Sequence, residues 1–164
     1  MTLARQRGLH ADAIESVRIG LPTNAARVVD NREMHNICAQ DMVSAALVRD
    51  GLGLRESPFP AILSDPAYAR LRLRVELRGH PDLDRDQPEG RGAIVTIDTV
   101  AGTSHTLRVD HPRGHSQRGG VSWAELAEKW HEGLPDCDVD RMVVLAQRLE
   151  QLDDIRDLAD LFGD

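Results

Sequence analysis

The chain has very few aromatic residues: 3% of its 164 residues are Phe, Trp or Tyr. A core made without them has to come from Leu, Val, Ile and Ala, whose burial is also the main driving force for folding. Lysine is scarcer still. Nineteen of the 20 basic residues are Arg, so Lys129 is the single candidate for Schiff-base or amine chemistry. The two cysteines, Cys38 and Cys137, lie far apart and in no metal-type spacing, which reads as reduced thiols of a cytoplasmic protein. No apolar run approaches membrane-spanning length, and the N-terminal stretch MTLARQRGLHADAIESV lacks the apolar centre of a signal peptide. There is no P-loop and no G-x-S-x-G. Acidic residues outnumber basic ones 27 to 20, giving a net charge of -7. That charge excludes bulk electrostatic binding to nucleic acid or to an anionic membrane, while a local basic loop can still hold a small anion.

What is present fits one soluble domain, with 41% hydrophobic and 29% charged residues. Residues 1–13 read as an irregular or short helical lead-in. Val17, Ile19 and Leu21 alternate with polar neighbours, predicting a half-buried strand that Pro22 stops. Residues 23–31 fit no single element. Met34, Ile37, Cys38, Met42, Ala45, Leu47 and Val48 recur at helical spacing. They predict a helix over 33–52, capped by Asn31 and ended by Gly51 and Gly53. Residues 56–60 hold two prolines and read as a loop. Asp65-Pro66 starts a short helix through Arg70. Leu71, Leu73, Val75 and Leu77 then alternate with charged residues, as in a strand of an antiparallel sheet with one wet face. Residues 79–92 read as a flexible surface loop, and 93–100 with 103–110 as a hairpin around Ala101-Gly102. Ser122 and Glu125 form a capping box that opens a helix to about Glu132. Asp138 or Asp140 opens another through Leu152, and Asp153 or Asp154 a last one with Ile155, Leu158, Leu161 and Phe162. The expected fold class is α+β: one mostly antiparallel sheet packed with helices, followed by a helical tail over 122–164.

The least generic stretch is DHPRGHSQRGGVSW, from Asp110 to Trp123. Arg supplies a forked donor that matches a carboxylate, glycines let backbone N–H groups approach, and a helix N-terminus follows. His111, Arg113 and Arg118 are therefore the candidates for binding a small carboxylic acid; the same composition also suits a solvated connector. His35, Cys38 and Asp41 follow one another at i, i+3 and i+6. A His beside a carboxylate can transfer protons, so His35 and Asp41 are candidate catalytic residues, with His115 a third. On a continuous helix, however, His35 and Asp41 stand nearly two turns apart. Cys38 falls with Met34 and Met42 and reads as a core residue rather than a nucleophile. His105 and His131 read as structural or exposed. His111 and His115 are four apart, but on a Pro- and Gly-rich loop that spacing gives no shared face for a metal, and neither metal nor cofactor is expected.

Three pieces of the chain resemble the C-terminal part of the MmgE/PrpD family, in the family's order. Asp12-Ala-Ile-Glu-Ser-Val-Arg-Ile19 is similar to a strand with the pattern D-I-E-S-V. Ser44-Ala-Ala-Leu-Val-Arg-Asp-Gly51 is similar to a small-residue helix ending in L-L-D-G. His111-Pro-Arg-Gly-His115 is similar to an H-P-K/R-G loop, and Val121-Ser-Trp-Ala-Glu-Leu and Leu149-Glu-Gln-Leu-Asp-Asp-Ile-Arg-Asp-Leu follow it. The family includes 2-methylcitrate dehydratase, cis-aconitate decarboxylase and iminodisuccinate epimerase. The resemblance implies a lid domain that closes over an active-site cleft, while a large N-terminal helical domain supplies most of the catalytic residues. The implied chemistry is proton abstraction next to a carboxylate, then loss or relocation of water or carboxyl.

Residues 1–164 are thus expected to be one domain, the lid subunit of a split lyase or isomerase that works with a helical partner chain on a carboxylic acid. The alternative is a standalone homo-oligomer that binds a small acid or catalyses a cyclisation or isomerisation, or a non-catalytic scaffold. Self-association is the simple way to cover the apolar tail residues.

Overall fold

The computed structural model of the protein describes residues 3–49, 51–52 and 61–162. The expected loop at 56–60, the helix end at Gly53 and the side chain of Phe162 lie outside the described residues. Four strands, β1 (Ile14–Leu21), β2 (Val75–Gly79), β3 (Ala93–Thr99) and β4 (Ser104–Val109), form one sheet in the order β2-β1-β3-β4. The pairs β1–β3 and β3–β4 are antiparallel, and β1–β2 is parallel. The class is α+β with a mostly antiparallel sheet and helices at the C-terminus, as the sequence predicts.

Alternation in each strand sorts the two faces. Register sets Val17 beside Val75 and Ile97, and Ile19 beside Leu77 and Val95. This apolar face gathers Ile14, Val17, Ile19, Val75 and Ile97 with Leu3 and Ala4 of α1 (Leu3–Arg7) and Leu71 of α4 (Pro66–Arg72). Val43, Leu47 and Val48 of α3 (Ala39–Val48) pack on the same cluster. The other face is polar: Arg18 and Ser16 both donate to Asp98, at 2.5 and 2.8 Å. A second small cluster, Ala45, Ile62 and Tyr68, seals α3 against α4. At Ala45 the small side chain lets α4 come close.

Several expectations need correction, among them the helix expected through Leu152, which ends at Gln147 before a 3-10 turn at Leu149–Gln151. Residues 23–31, which fit no element, form α2 (Thr23–Val29), whose first N–H is held by Asp84 at 2.6 Å. The long helix expected over 33–52 begins only at Ala39. A short 3-10 turn at His35–Ile37 precedes it, and Cys38, with extended backbone (φ -86, ψ 116), separates the two. Asn31 caps no helix; it sits in the left-handed region at φ 45. The strand expected from Leu71 starts at Val75, because the helix opened by Asp65 and Pro66 runs on to Arg72 and buries Tyr68 and Leu71. Leu73 is left 88% exposed. Finally, the loop expected over 79–92 contains a helical turn, α5 (Pro81–Asp84), pinned by fully buried Leu83. The hairpin turn at Ala101-Gly102 is present, with Gly102 at φ 79.

The tail is three helices, α6 (Trp123–Gly133), α7 (Val139–Gln147) and α8 (Arg156–Ala159), with 3-10 turns at Leu149–Gln151 and Asp160–Phe162. The capping box at Ser122 and Glu125 is complete. Val139, Met142 and Leu145 form the buried stripe of α7, while Val144, Leu149 and Ile155 remain exposed. Tail helices pack chiefly on one another, α6 on α7 and α7 on α8.

Leu71→Ala should cost about 2–5 kcal/mol in urea denaturation, as for a buried leucine. Leu73→Ala should stay within about 0.5 kcal/mol of the parent. Equal losses at the two positions would return residue 73 to the core face of a strand.

Candidate functional site

Among the described residues, the most developed polar cluster is built on Asp41. It lies in the first turn of α3 and is 4% exposed. Its Oδ1 accepts from Nε of Arg72 at the end of α4, in a very short contact. Its Oδ2 meets Nδ1 of His35 at 2.6 Å. The hydroxyl of Tyr68 also bonds this carboxylate. Arg72 reaches further: its Nη2 donates to Asn31 Oδ1 at 2.8 Å and contacts the Cys38 sulfur at 3.6 Å. Buried Gln40 ties the same turn down, accepting from the Asn31 N–H at 3.1 Å and donating to Asp30 at 2.5 Å. Cys38 is fully buried and gives its thiol to Gln40 at 3.4 Å.

Electrostatics follow from this geometry. Burial alone pushes the Asp41 carboxyl up, but the hydrogen bonds from His35 and Arg72 and the Arg72 charge outweigh it and hold the group below the usual carboxylate range. Burial and the adjacent Asp41 charge push the Tyr68 phenol up to about 12. Tyr68 therefore stays a donor at neutral pH. With Asp41 ionised, the Nδ1 of His35 must be the protonated nitrogen, because a carboxylate can only accept.

His35 and Asp41 meet because the helix expected to carry both is broken. Had 33–52 been continuous, i, i+6 spacing would have kept the two side chains apart. The bend at Cys38 folds the His35 turn back onto the start of α3. Sequence reasoning missed Arg72, Tyr68, Asn31 and Gln40. One signal could have found two of them: if the helix started by Asp65-Pro66 is extended by a turn, Tyr68 and Arg72 fall at i, i+4 on one face.

The Asp110–Val121 loop does not form a single clamp. Arg113 binds Glu125 at 3.0 Å and approaches Glu128 at 3.7 Å. It lines a cleft of about 540 Å³ with Met42, Leu52, Val121, Leu126 and Lys129 among the other lining residues. His111 faces a different cleft, of about 620 Å³, with Arg85, Arg108 and Gln117. The Nδ1 of His111 is buried and has no hydrogen-bond partner among the described residues. His115 stacks on His111 with ring centroids 4.7 Å apart, and its Nδ1 accepts the Gln117 N–H at 3.2 Å. Arg118 lines neither cleft. His35 and Asp41 lie outside both as well, so the two groups of candidates stand at separate places. Among the described residues, no three His, Cys, Asp or Glu side chains gather as a metal site, and no helix is long and apolar enough to cross a membrane.

Comparison with known families places this mixed sheet, its covering helices and its helical tail in one class. The MmgE/PrpD C-terminal domain matches residues 1–151, nearly the whole chain. The protein belongs to the MmgE/PrpD family, whose enzymes are of the dehydratase and decarboxylase type. No curated protein matches the chain.

Asp41→Asn should lower stability at neutral pH by about 1–3 kcal/mol, since it removes the ionic partner of the half-buried Arg72. The sign of the pH dependence is set by the lowered pKa: the contribution is present above the ordinary carboxylate value and is lost as pH falls through the folded-state value. Parent protein should therefore lose stability as pH drops below about 4, the ordinary carboxylate range, and Asp41→Asn should lose less. Urea midpoints across pH 2–7 test this; parallel curves would contradict it.

Proposed function

We propose that the chain is the lid-domain subunit of a split MmgE/PrpD-type lyase or isomerase, closing over a carboxylic acid held between it and a helical partner domain. Family membership over residues 1–151 supports the domain assignment. The observation that carries the lid reading is the cleft at Arg113, lined by Met42 of α3, Leu52 and the first turns of α6. It brings Arg113 and Lys129, the only lysine of the chain, to one opening with an apolar floor of Met42, Leu52, Val121 and Leu126. Glu125 steadies Arg113 through Nε, while Glu128, at 3.7 Å from Nη2, is only loosely engaged. A substrate carboxylate can replace Glu128 on the outer edge of the guanidinium without disturbing the Glu125 bond.

Exposed apolar side chains support a partner. Val121 and Trp123 at the start of α6, and Val144, Leu149 and Ile155 further along the tail, are each at least 41% exposed. These are the same residues that favour the second reading, in which two copies of the chain cover each other and bind a small acid without the helical domain.

Co-expression with a helical MmgE/PrpD-type chain from the same genome should give a stable hetero-complex in size exclusion with light scattering. The complex, and neither chain alone, should dehydrate or isomerise a hydroxy-polycarboxylate of the citrate type. Arg113→Ala should cut kcat/KM of the complex by roughly 10- to 100-fold, the loss of about 1.5–3 kcal/mol of charged hydrogen bonding. A homodimer that binds citrate by itself favours the second reading, and a monomer that binds neither chain nor acid contradicts both.

A further inference from the structure

We infer that the outer surface of the tail, from α7 through the last 3-10 turn, docks on a basic face of the partner chain, one with an apolar centre. The inference rests on the reading that a helical partner exists, and adds to it the chemistry of the face that meets this one.

Charge is divided unevenly along the chain. Residues 122–164 hold 12 Asp and Glu against four Arg and Lys, a net charge of -8. Residues 1–121 hold 15 against 16, a net charge of +1. The surplus lies on the outside of the tail, where Asp140, Glu150, Asp153, Asp157 and Asp160 are all exposed. Asp154 is paired with Arg156. Glu150, Asp153 and Asp160 have no cation beside them among the described residues.

Apolar side chains stand among these carboxylates. Val144, Leu149 and Ile155 are 52%, 47% and 61% exposed. In α7, Asp140, Val144 and Gln147 fall at i, i+4 and i+7 and form the exposed face, opposite the buried stripe of Val139, Met142 and Leu145. The next helix, α8, packs on α7, so Ile155 and its flanking carboxylates belong to the same end of the molecule.

A protein interface is built as an apolar centre within a polar rim. Here the rim has one sign. Such a rim attracts a partner of the opposite sign and repels one of its own. A second copy of the chain is therefore a poor occupant. Its tail carries the same charge, and its residues 1–121 have almost no surplus of positive charge to offer. The occupant that fits is a different protein, whose contacting face presents Arg or Lys around apolar side chains.

The test has two arms. The first uses the chain by itself. Sedimentation velocity at pH 7 and about 50 mM salt, where repulsion between tails is little screened, should show a monomer. A homodimer under these conditions means that a second copy covers the tail, and overturns the inference. In the second arm, calorimetry gives the Kd for the helical chain at about 50 and about 500 mM salt. The parent should bind at least about tenfold more weakly at the higher concentration. Glu150→Gln, Asp153→Asn and Asp160→Asn combined should weaken binding by roughly tenfold at low salt and remove most of the salt dependence. Ile155→Ala should weaken it by roughly tenfold at both concentrations, since an apolar contact is not screened. If the complex forms and its Kd is indifferent to salt and to the triple substitution, the basic face is wrong and the lid reading stands. If the parent forms no complex, the lid reading fails and this inference falls with it.

Discussion

The pairing of buried Asp41 with half-buried Arg72 constrains the rest of the molecule. A carboxylate taken out of water, and a guanidinium largely so, need close geometry and further hydrogen bonds to remain there. Both are supplied locally, to Asp41 by His35 and Tyr68 and to Arg72 by Asn31. The pair links the first turn of α3 to the last turn of α4, two helices that also share the Ala45–Ile62–Tyr68 cluster. Their joint position sets how they cover the sheet: α3 and α4 contribute Val43, Leu47 and Leu71 to the cluster over β1, β2 and β3. The same pair draws the 31–38 turn inward, so a core interaction and an exposed imidazole belong to one network.

The molecule divides by how its parts are held. Sheet, α1, α3 and α4 share one aliphatic cluster. In the tail, α7 buries Val139, Met142 and Leu145, and α6 lines the Arg113 cleft opposite Met42 and Leu52. Interior packing of the first kind resists rearrangement. Sparse contact of the second kind lets a segment open at lower cost. The cleft lined by Arg113 and Met42 lies at that boundary, with Arg113 on the loop that joins the sheet to the tail.

Much of this was legible in the sequence, and the failures share one cause. Alternation in 15–21 marked β1, whose Val17 and Ile19 are buried, and two β-prone runs around Ala101-Gly102 marked the β3–β4 hairpin. The caps at Asp65, Ser122 and Asp138 marked three helix starts, because a side-chain oxygen on a free N–H is a local interaction. Periodicity misled where two patterns overlapped. Leu71 to Leu77 alternates like a strand, yet Tyr68 and Leu71 already satisfy a helix, and the helix keeps its last turn because its side chains reach both the core and Asp41. Likewise Met34 and Ile37 match the period of α3 but remain exposed, since the backbone leaves the helix at Cys38. His35 and Asp41 were legible as residue types only. Their contact depends on that break, and on an arginine 31 positions further along, neither of which a local pattern encodes.

A double-mutant cycle between Asp41→Asn and Arg72→Met, read by urea denaturation at pH 7, tests the central claim most directly. The account predicts a coupling free energy of about 1.5–3 kcal/mol, at the upper end for residues in one buried network. Additivity within about 0.5 kcal/mol would mean that the two residues do not act as a unit, and that the turn bearing His35 is held by something else.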